Sequence, residues 1–223
     1  YYKERAFQIW NFAEVGYKEV KSSLLLKKTL IDQGFSIDSG VAGIPTAFVA
    51  TYDKGGPVIG FLAEYDALPG LSQDAVPYRS VIVEGGNGHG CGHNLFGTAV
   101  VASGVALKEW IDANNIKATI KIFGTPAEET GGGKVYMARD GIFNGVDAVI
   151  NCVGIIGETR SQKFAALHTQ APCALFRACA EAGVRRVVQV SALGADGQAF
   201  SAYHLSKCAA DDCLRGLNLD WFV

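Results

Sequence analysis

The sequence predicts an α/β fold, a helix-covered and mostly parallel sheet of the three-layer αβα type. Two observations carry that prediction. From residue 96 onward, stretches of helical and strand periodicity alternate, which is the pattern of parallel strands joined by crossover helices. The segment "PVIGFLAEYDA" (57–67) is apolar enough to be a central strand. Composition agrees: of 223 residues, 49% are apolar and 19% charged, ordinary values for a globular chain long enough to bury a core.

Taken in order, apolar and charged residues alternate at helical spacing from Tyr1 to about Gln33, and Gly34 is a natural stop. "TAFVATY" (46–52) reads as a strand preceding the central one. Residues 68–90 are rich in Pro, Gly and Ser and read as a long loop; loops of that length inside compact domains are often functional. "FGTAVVASGVALKEWIDANN" (96–115) is an amphipathic helix, "ATIKIFG" (118–124) a strand and "GKVYMARDGIF" (133–143) a short helix. A strand "DAVINCV" (147–153), a helix to Gly183, a strand "RRVVQVSAL" (185–193), a helix over Ser201–Leu217 and a strand "LDWFV" complete the alternation.

Charge and cysteine usage exclude several classes. A net charge of −2 gives no electrostatic case for nucleic acid or an anionic membrane as partner. No apolar run reaches the length of a spanning helix, and no secretory pattern opens the chain. The chain does not begin with methionine, as in a fragment or a processed product. Cysteines 91, 152, 173, 179, 208 and 213 lack the spacing of a disulfide framework, so free thiols and a cytoplasmic location are expected.

The chemistry-bearing stretches are "GHGCGHN" (88–94) and "GTPAEETGGGK" (124–134). Cys91 and His93 are two apart, so an extended loop lets both face one ion, and Gly90 and Gly92 permit the backbone angles this needs. Pro126 ends a strand and places Glu128 and Glu129 at its C-terminal edge, where ligand sites of α/β sheets gather. Two adjacent carboxylates suit two roles: one coordinates a metal, the other takes a proton from a water whose pKa the metal lowers. The alternatives are a glycine-rich turn with incidental polar residues, and a solvated helix start favoured by acidic side chains.

With "GFLAEYDALPGLSQ" (60–73), these stretches occur in an order that resembles the dizinc aminoacylase/carboxypeptidase-type metallopeptidases. Within them the chain is most similar to the amidohydrolase branch containing p-aminobenzoyl-glutamate hydrolase and the amino-acid-conjugate hydrolases. "IWNFAEVGYKEVKSS" and "GVAGIPTAFVA" fit that branch too, and the resemblance covers residues 1–150. It implies Cys91, His93 and Glu129 as ligands of Zn2+ or Mn2+, Glu128 as general base and Asp66 as the carboxylate that orients a ligand. It gives His89 a place near the site, where hydrogen bonding within the loop is an equal reading. The implied partner is a small-molecule amide, an acyl or aromatic-acyl group joined to an amino acid.

The family's next histidine falls at Val153, and Cys152 beside it points to the opposite face of a strand. A later histidine and the family's dimerising lid have no counterpart, so no oligomeric state is carried over. His168 and His204 sit in helical stretches of another pattern. Residues 147–223 resemble an atypical short-chain dehydrogenase/epimerase, akin to nucleotide-binding accessory proteins of respiratory complex I. On that resemblance 151–223 is the C-terminal part of a Rossmann-like NAD(P)-binding domain. Ser191 would bond a substrate oxygen, Tyr203 would be the acid/base, Lys207 one turn later would lower its pKa, and Asn151 and Gly154 would line the cofactor cleft. The dinucleotide fingerprint G-x-G-x-x-G is absent, which removes the phosphate cradle NAD(P) needs. Two resemblances meeting across "GVDAVIN" imply a chimera, whose further alternative is an inactive fusion.

Overall fold

The structure, a computed structural model, describes residues 1–129, 131–151, 158 and 163–223. The readings at Cys152, Val153 and Gly154 therefore lie outside the described residues. The chain divides into two compact units, Tyr1–Gly145 and Val146–Val223. Both are built of helices and a β-sheet, and the fold is α/β.

In the first unit, helices α1 (Tyr2–Phe12) and α2 (Val20–Asp32) precede strands β1 (Ser36–Ser39), β2 (Phe48–Asp53) and β3 (Val58–Ala63). Helix α3 (His93–Ala113), strand β4 (Thr119–Gly124) and the short helix α4 (Gly133–Arg139) follow. The strand order is β1-β2-β4-β3. Strand β3 runs parallel to β4, whereas β2 pairs antiparallel with both β1 and β4. The antiparallel edge is compatible with the mostly parallel sheet the sequence predicts, whereas β1 was not foreseen. "SIDS" has neither apolar alternation nor length, and its pairing with Phe48–Thr51 makes it a strand.

The expected single helix over residues 1–33 is two. The chain breaks at Ala13 and Tyr17, both with positive φ (43° and 62°). Glu14 causes the restart: its carboxylate accepts the Lys21 and Ser22 amides at 3.0 and 2.9 Å and the Ser22 hydroxyl at 2.8 Å. Orphan donors of the first turn of α2 are thus satisfied by a side chain several residues upstream. The Glu14 carbonyl also accepts the Ala67 amide at 2.8 Å, tying the break to the segment after β3.

Ile9, Leu26, Leu30, Phe48, Tyr65, Val101, Ile120 and Ile122 form the core between these helices and the sheet. Helix α3 lies close to the end of β3. At Gly97 a Cβ would stand 2.3 Å from the Glu64 carbonyl oxygen, so only glycine allows this approach.

In the second unit, β5 (Ala148–Asn151), β6 (Arg186–Gln189) and β7 (Asp220–Phe222) are all parallel. A π-helical turn (Ala165–Gln170) leads into α5 (Ala171–Glu181), and α6 (Ala202–Arg215) follows β6. Phe176, Cys179, Val187, Ala210 and Leu214 fill its core. The described cysteines are free thiols. Among the described residues, no helix is long and apolar enough to cross a membrane.

Candidate metal centre

Period-two geometry builds the first wall of the site. Just beyond β3, Glu64 and Asp66 project to one side while Tyr65 between them turns into the core, fully buried. The second wall is the start of α3, where His93 is the first helical residue. The third is the turn after β4, which carries Glu128 and Glu129.

His93 is the meeting point. Its Nδ1 donates to Asp66 Oδ1 at 2.9 Å, which leaves Nε2 facing the three other carboxylates. Nε2 lies 3.0 Å from Glu64 Oε2 and 3.9 Å from both Glu128 Oε2 and Glu129 Oε1. The second Asp66 oxygen accepts the Glu129 amide at 2.9 Å. One buried carboxylate therefore fixes both the imidazole ring and the turn that brings the acid pair.

The electrostatics follow from this crowding. Burial alone would depress the His93 pKa, but the hydrogen bonds with Asp66 and Glu64 outweigh it and push it up to about 10. Burial and then the neighbouring Glu64 raise the Glu128 carboxyl above the usual carboxylate range. Burial likewise raises Cys91, to about 12, helped by a hydrogen bond with Glu129 and by the surrounding carboxylates. Glu64 is lowered against the effect of its burial, by His93 and by the ammonium of Lys134, with which it forms an ion pair.

The structure thus gathers Asp66, His93, Glu128 and Glu129 at one place, with the Cys91 side chain against Glu129 at the exposed margin. Glu64 and Lys134 join them without having been singled out in the sequence. Alternation could have found Glu64, which stands two residues before Asp66. His89 is buried, donates through Nε2 to the Ile9 carbonyl at 3.0 Å and stacks on Trp10, so it ties the loop to α1.

The donor set suits a divalent cation. Single donor atoms of Glu64, His93 and Glu128 lie within 4.8 Å of one another. Glu129 Oε1 is buried without a hydrogen-bond partner, directed at His93 Nε2. A carboxylate oxygen left so is costly unless a cation completes it.

The residues of the second constellation each have contacts of their own. The Ser191 hydroxyl, just after β6, donates to Asp211 Oδ2 at 2.5 Å, and Lys207 Nζ donates to the Val190 carbonyl at 3.3 Å. Tyr203 packs edge-to-face against Phe164, His168 and His204, with centroids 5.1–5.7 Å apart. Asn151 Nδ2 donates to Gln189 Oε1 at 2.6 Å.

Comparison with known proteins bears on the first site. Residues 60–210 match the family described as Peptidase family M20/M25/M40. A p-aminobenzoyl-glutamate hydrolase polypeptide of Escherichia coli (strain K12) is 43% identical over 150 residues, which are 67% of this chain and 31% of that protein. N-acetyl-L-cysteine deacetylase of Bacillus subtilis (strain 168) is 30% identical over 62% of this chain and 32% of its own length. The chain therefore spans about a third of the length of these curated relatives. The crystal structure of a dinuclear metal-binding peptidase of the M20 family from Bacillus subtilis shares the fold, with TM-score 0.58 and 24% identity over 67% of this chain and 41% of that one. The family match continues to residue 210, across the stretch that resembles a dehydrogenase. These comparisons give no support to a short-chain dehydrogenase segment, to NAD(P) or to a chimera.

Proposed function

The chain belongs to peptidase family M20/M25/M40, and from that premise we propose that it carries the metal-binding part of an amidohydrolase that cleaves the amide joining an N-acyl or aminobenzoyl group to an amino acid. The observation that carries this reading is the buried Glu129 Oε1, without a hydrogen-bond partner and 3.9 Å from His93 Nε2, in a cluster of carboxylates. The relatives' names supply the substrate class: an aminobenzoyl-glutamate hydrolase and an N-acetyl-cysteine deacetylase both act on small amides.

Cys91, His93 and Glu129 would hold Zn2+ or Mn2+, and Glu64 adds a carboxylate on the side facing His93. When bound, the cation supplies Lewis acidity towards the amide carbonyl and towards water. The remaining steps belong to the chain's own residues. Asp66 keeps the proton on His93 Nδ1, so it is Nε2 that points into the site and would give up its own proton to a bound cation. Glu128, partly exposed and with its pKa raised, takes a proton from the attacking water and returns it to the departing amine.

The test is metal content and hydrolysis measured side by side. The chain is loaded with Zn2+ or Mn2+, dialysed, and offered p-aminobenzoyl-glutamate and N-acyl amino acids. The expected result is a retained cation that is lost in His93→Ala, and amide hydrolysis that is lost in Glu128→Gln while the cation stays. A chain that retains no cation refutes the reading.

A further inference from the structure

We propose that Glu19 is a positioning residue, holding the turn that carries Glu128 and Glu129 in register with the segment that carries Glu64 and Asp66. The inference rests on the metal-site reading above, and it concerns a side chain that reaches the site from behind. Glu19 precedes α2 and is 0% exposed. Its Oε1 accepts the Ala127 amide at 2.8 Å, and its Oε2 accepts the Thr46 hydroxyl at 3.1 Å. The Thr46 carbonyl in turn accepts the Tyr65 and Ser23 hydroxyls, each at 2.7 Å.

The two ends of this network are the two walls of the site. Tyr65 stands between Glu64 and Asp66, and Ala127 immediately precedes Glu128 and Glu129. Glu19 and Thr46 therefore link the wall after β3 to the wall after β4 through buried hydrogen bonds, on the side away from His93. A buried carboxylate satisfied by neutral donors is an expensive way to fill a core. An apolar side chain would pack there but leave the Ala127 amide orphaned.

The backbone at that amide needs holding. Ala127 has φ of 55°, a conformation unfavourable for any residue with a Cβ, which persists where its surroundings over-determine it. The same stretch of chain secures the other end of the turn, since the Tyr17 hydroxyl donates to the Gly131 carbonyl at 2.6 Å. Tyr17 and Glu19 thus grip the turn at Gly131 and at Ala127, with the acid pair between.

Three variants test this: Glu19→Ala, Glu19→Gln and Tyr17→Phe. Hydrogen exchange is followed by mass spectrometry in the metal-free chain, comparing peptides over 125–133 with those over β4, and Zn2+ affinity is measured by competition titration. Glu19→Ala is expected to accelerate exchange over 125–133 about tenfold, leave β4 protected, and weaken Zn2+ by about 10–100-fold, the usual effect of losing a ligand-orienting partner. Glu19→Gln is expected to restore both, because its amide oxygen still accepts from Ala127 and its amide nitrogen donates to Thr46. Tyr17→Phe loosens the Gly131 end and leaves β4 unchanged; it carries the comparison if Glu19→Ala does not fold. Uniform loosening across β4, unchanged exchange at Ala127, or a Gln variant that behaves like Ala overturns the proposal. A wild-type chain that takes no Zn2+ refutes the metal site alone, and the exchange pattern still decides the role of Glu19.

Discussion

Asp66 Oδ1 sits 2.9 Å from His93 Nδ1, and the same carboxylate accepts the Glu129 amide at 2.9 Å through its other oxygen. Both partners are donors, so both oxygens are needed. In Asp66→Asn the amide nitrogen must face one of the two N–H groups, and either the ring or the turn is released. Metal affinity is expected to fall about 10–100-fold, with a loss of stability of about 1–3 kcal/mol from the unsatisfied buried donor. Isothermal titration with Zn2+ and urea unfolding check both; an affinity equal to wild type would remove Asp66 from the site.

Gly97→Ala reports on how closely α3 must approach β3. Inside a helix, alanine is ordinarily more stable than glycine by about 0.5–1 kcal/mol. Here the new Cβ would stand 2.3 Å from the Glu64 carbonyl oxygen, a backbone atom that cannot swing aside. The net effect is expected to be a destabilisation of about 1–3 kcal/mol, together with weaker metal binding as His93 at the helix start is pushed from Glu64. A stabilised variant would show that the helix moves freely.

Much of this site was legible because its residues sit in short motifs at the ends of strong elements. "GHGCGHN" opens α3, a long and strongly apolar helix, and "AEE" follows a strand whose core residues Ile120 and Ile122 are fully buried. Residues whose partners are distant backbone atoms stayed hidden. Glu19 and Ala127 are 108 positions apart, and an amide leaves no trace in sequence. Lys134 reads as one more surface lysine until its pairing with Glu64 is seen. The split of the first helix escaped for the same reason: helical periodicity continues through Ala13–Glu19, and the Glu14 carboxylate that restarts α2 acts across seven and eight residues. In the later unit, Tyr203 and Lys207 do share a helix as their spacing requires, but the Ser191 hydroxyl is taken by Asp211.

Lys134 places a fixed positive charge where a cation would sit against Glu64. It also lowers the tendency of Glu64 to hold a proton, so the carboxylate is charged and paired in the metal-free chain. Lys134→Met removes the competing ammonium and keeps the length of the stem. Because the ammonium is partly exposed, screening limits the gain, and Zn2+ affinity is expected to rise roughly three- to tenfold. The measurement is a competition titration at low and high salt, with the gain shrinking at high salt. Weaker binding would mean that Lys134 supports the site rather than competing for Glu64.

Glu19 makes stability depend on pH in a direction that a charge-free replacement removes. Burial pushes its carboxyl above the usual range, outweighing the hydrogen bonds from its own amide, Ala127 and Thr46. In the unfolded chain the same group titrates near the ordinary 4.5. As pH rises through that value, the unfolded chain releases its proton while the native chain still holds one. The native state then binds more protons than the unfolded state, and stability falls until pH passes the raised native pKa. The cost is therefore absent in acid and fully present once pH has passed the raised native pKa. Glu19→Gln, which keeps the hydrogen bonds without a charge, is expected to melt above wild type at pH 7, and the gap should close as pH falls below about 4.5. Thermal melts of both proteins from pH 4 to 8 decide it: a gap of constant size, or one that widens in acid, would mean that the Glu19 carboxylate is not desolvated in the folded chain.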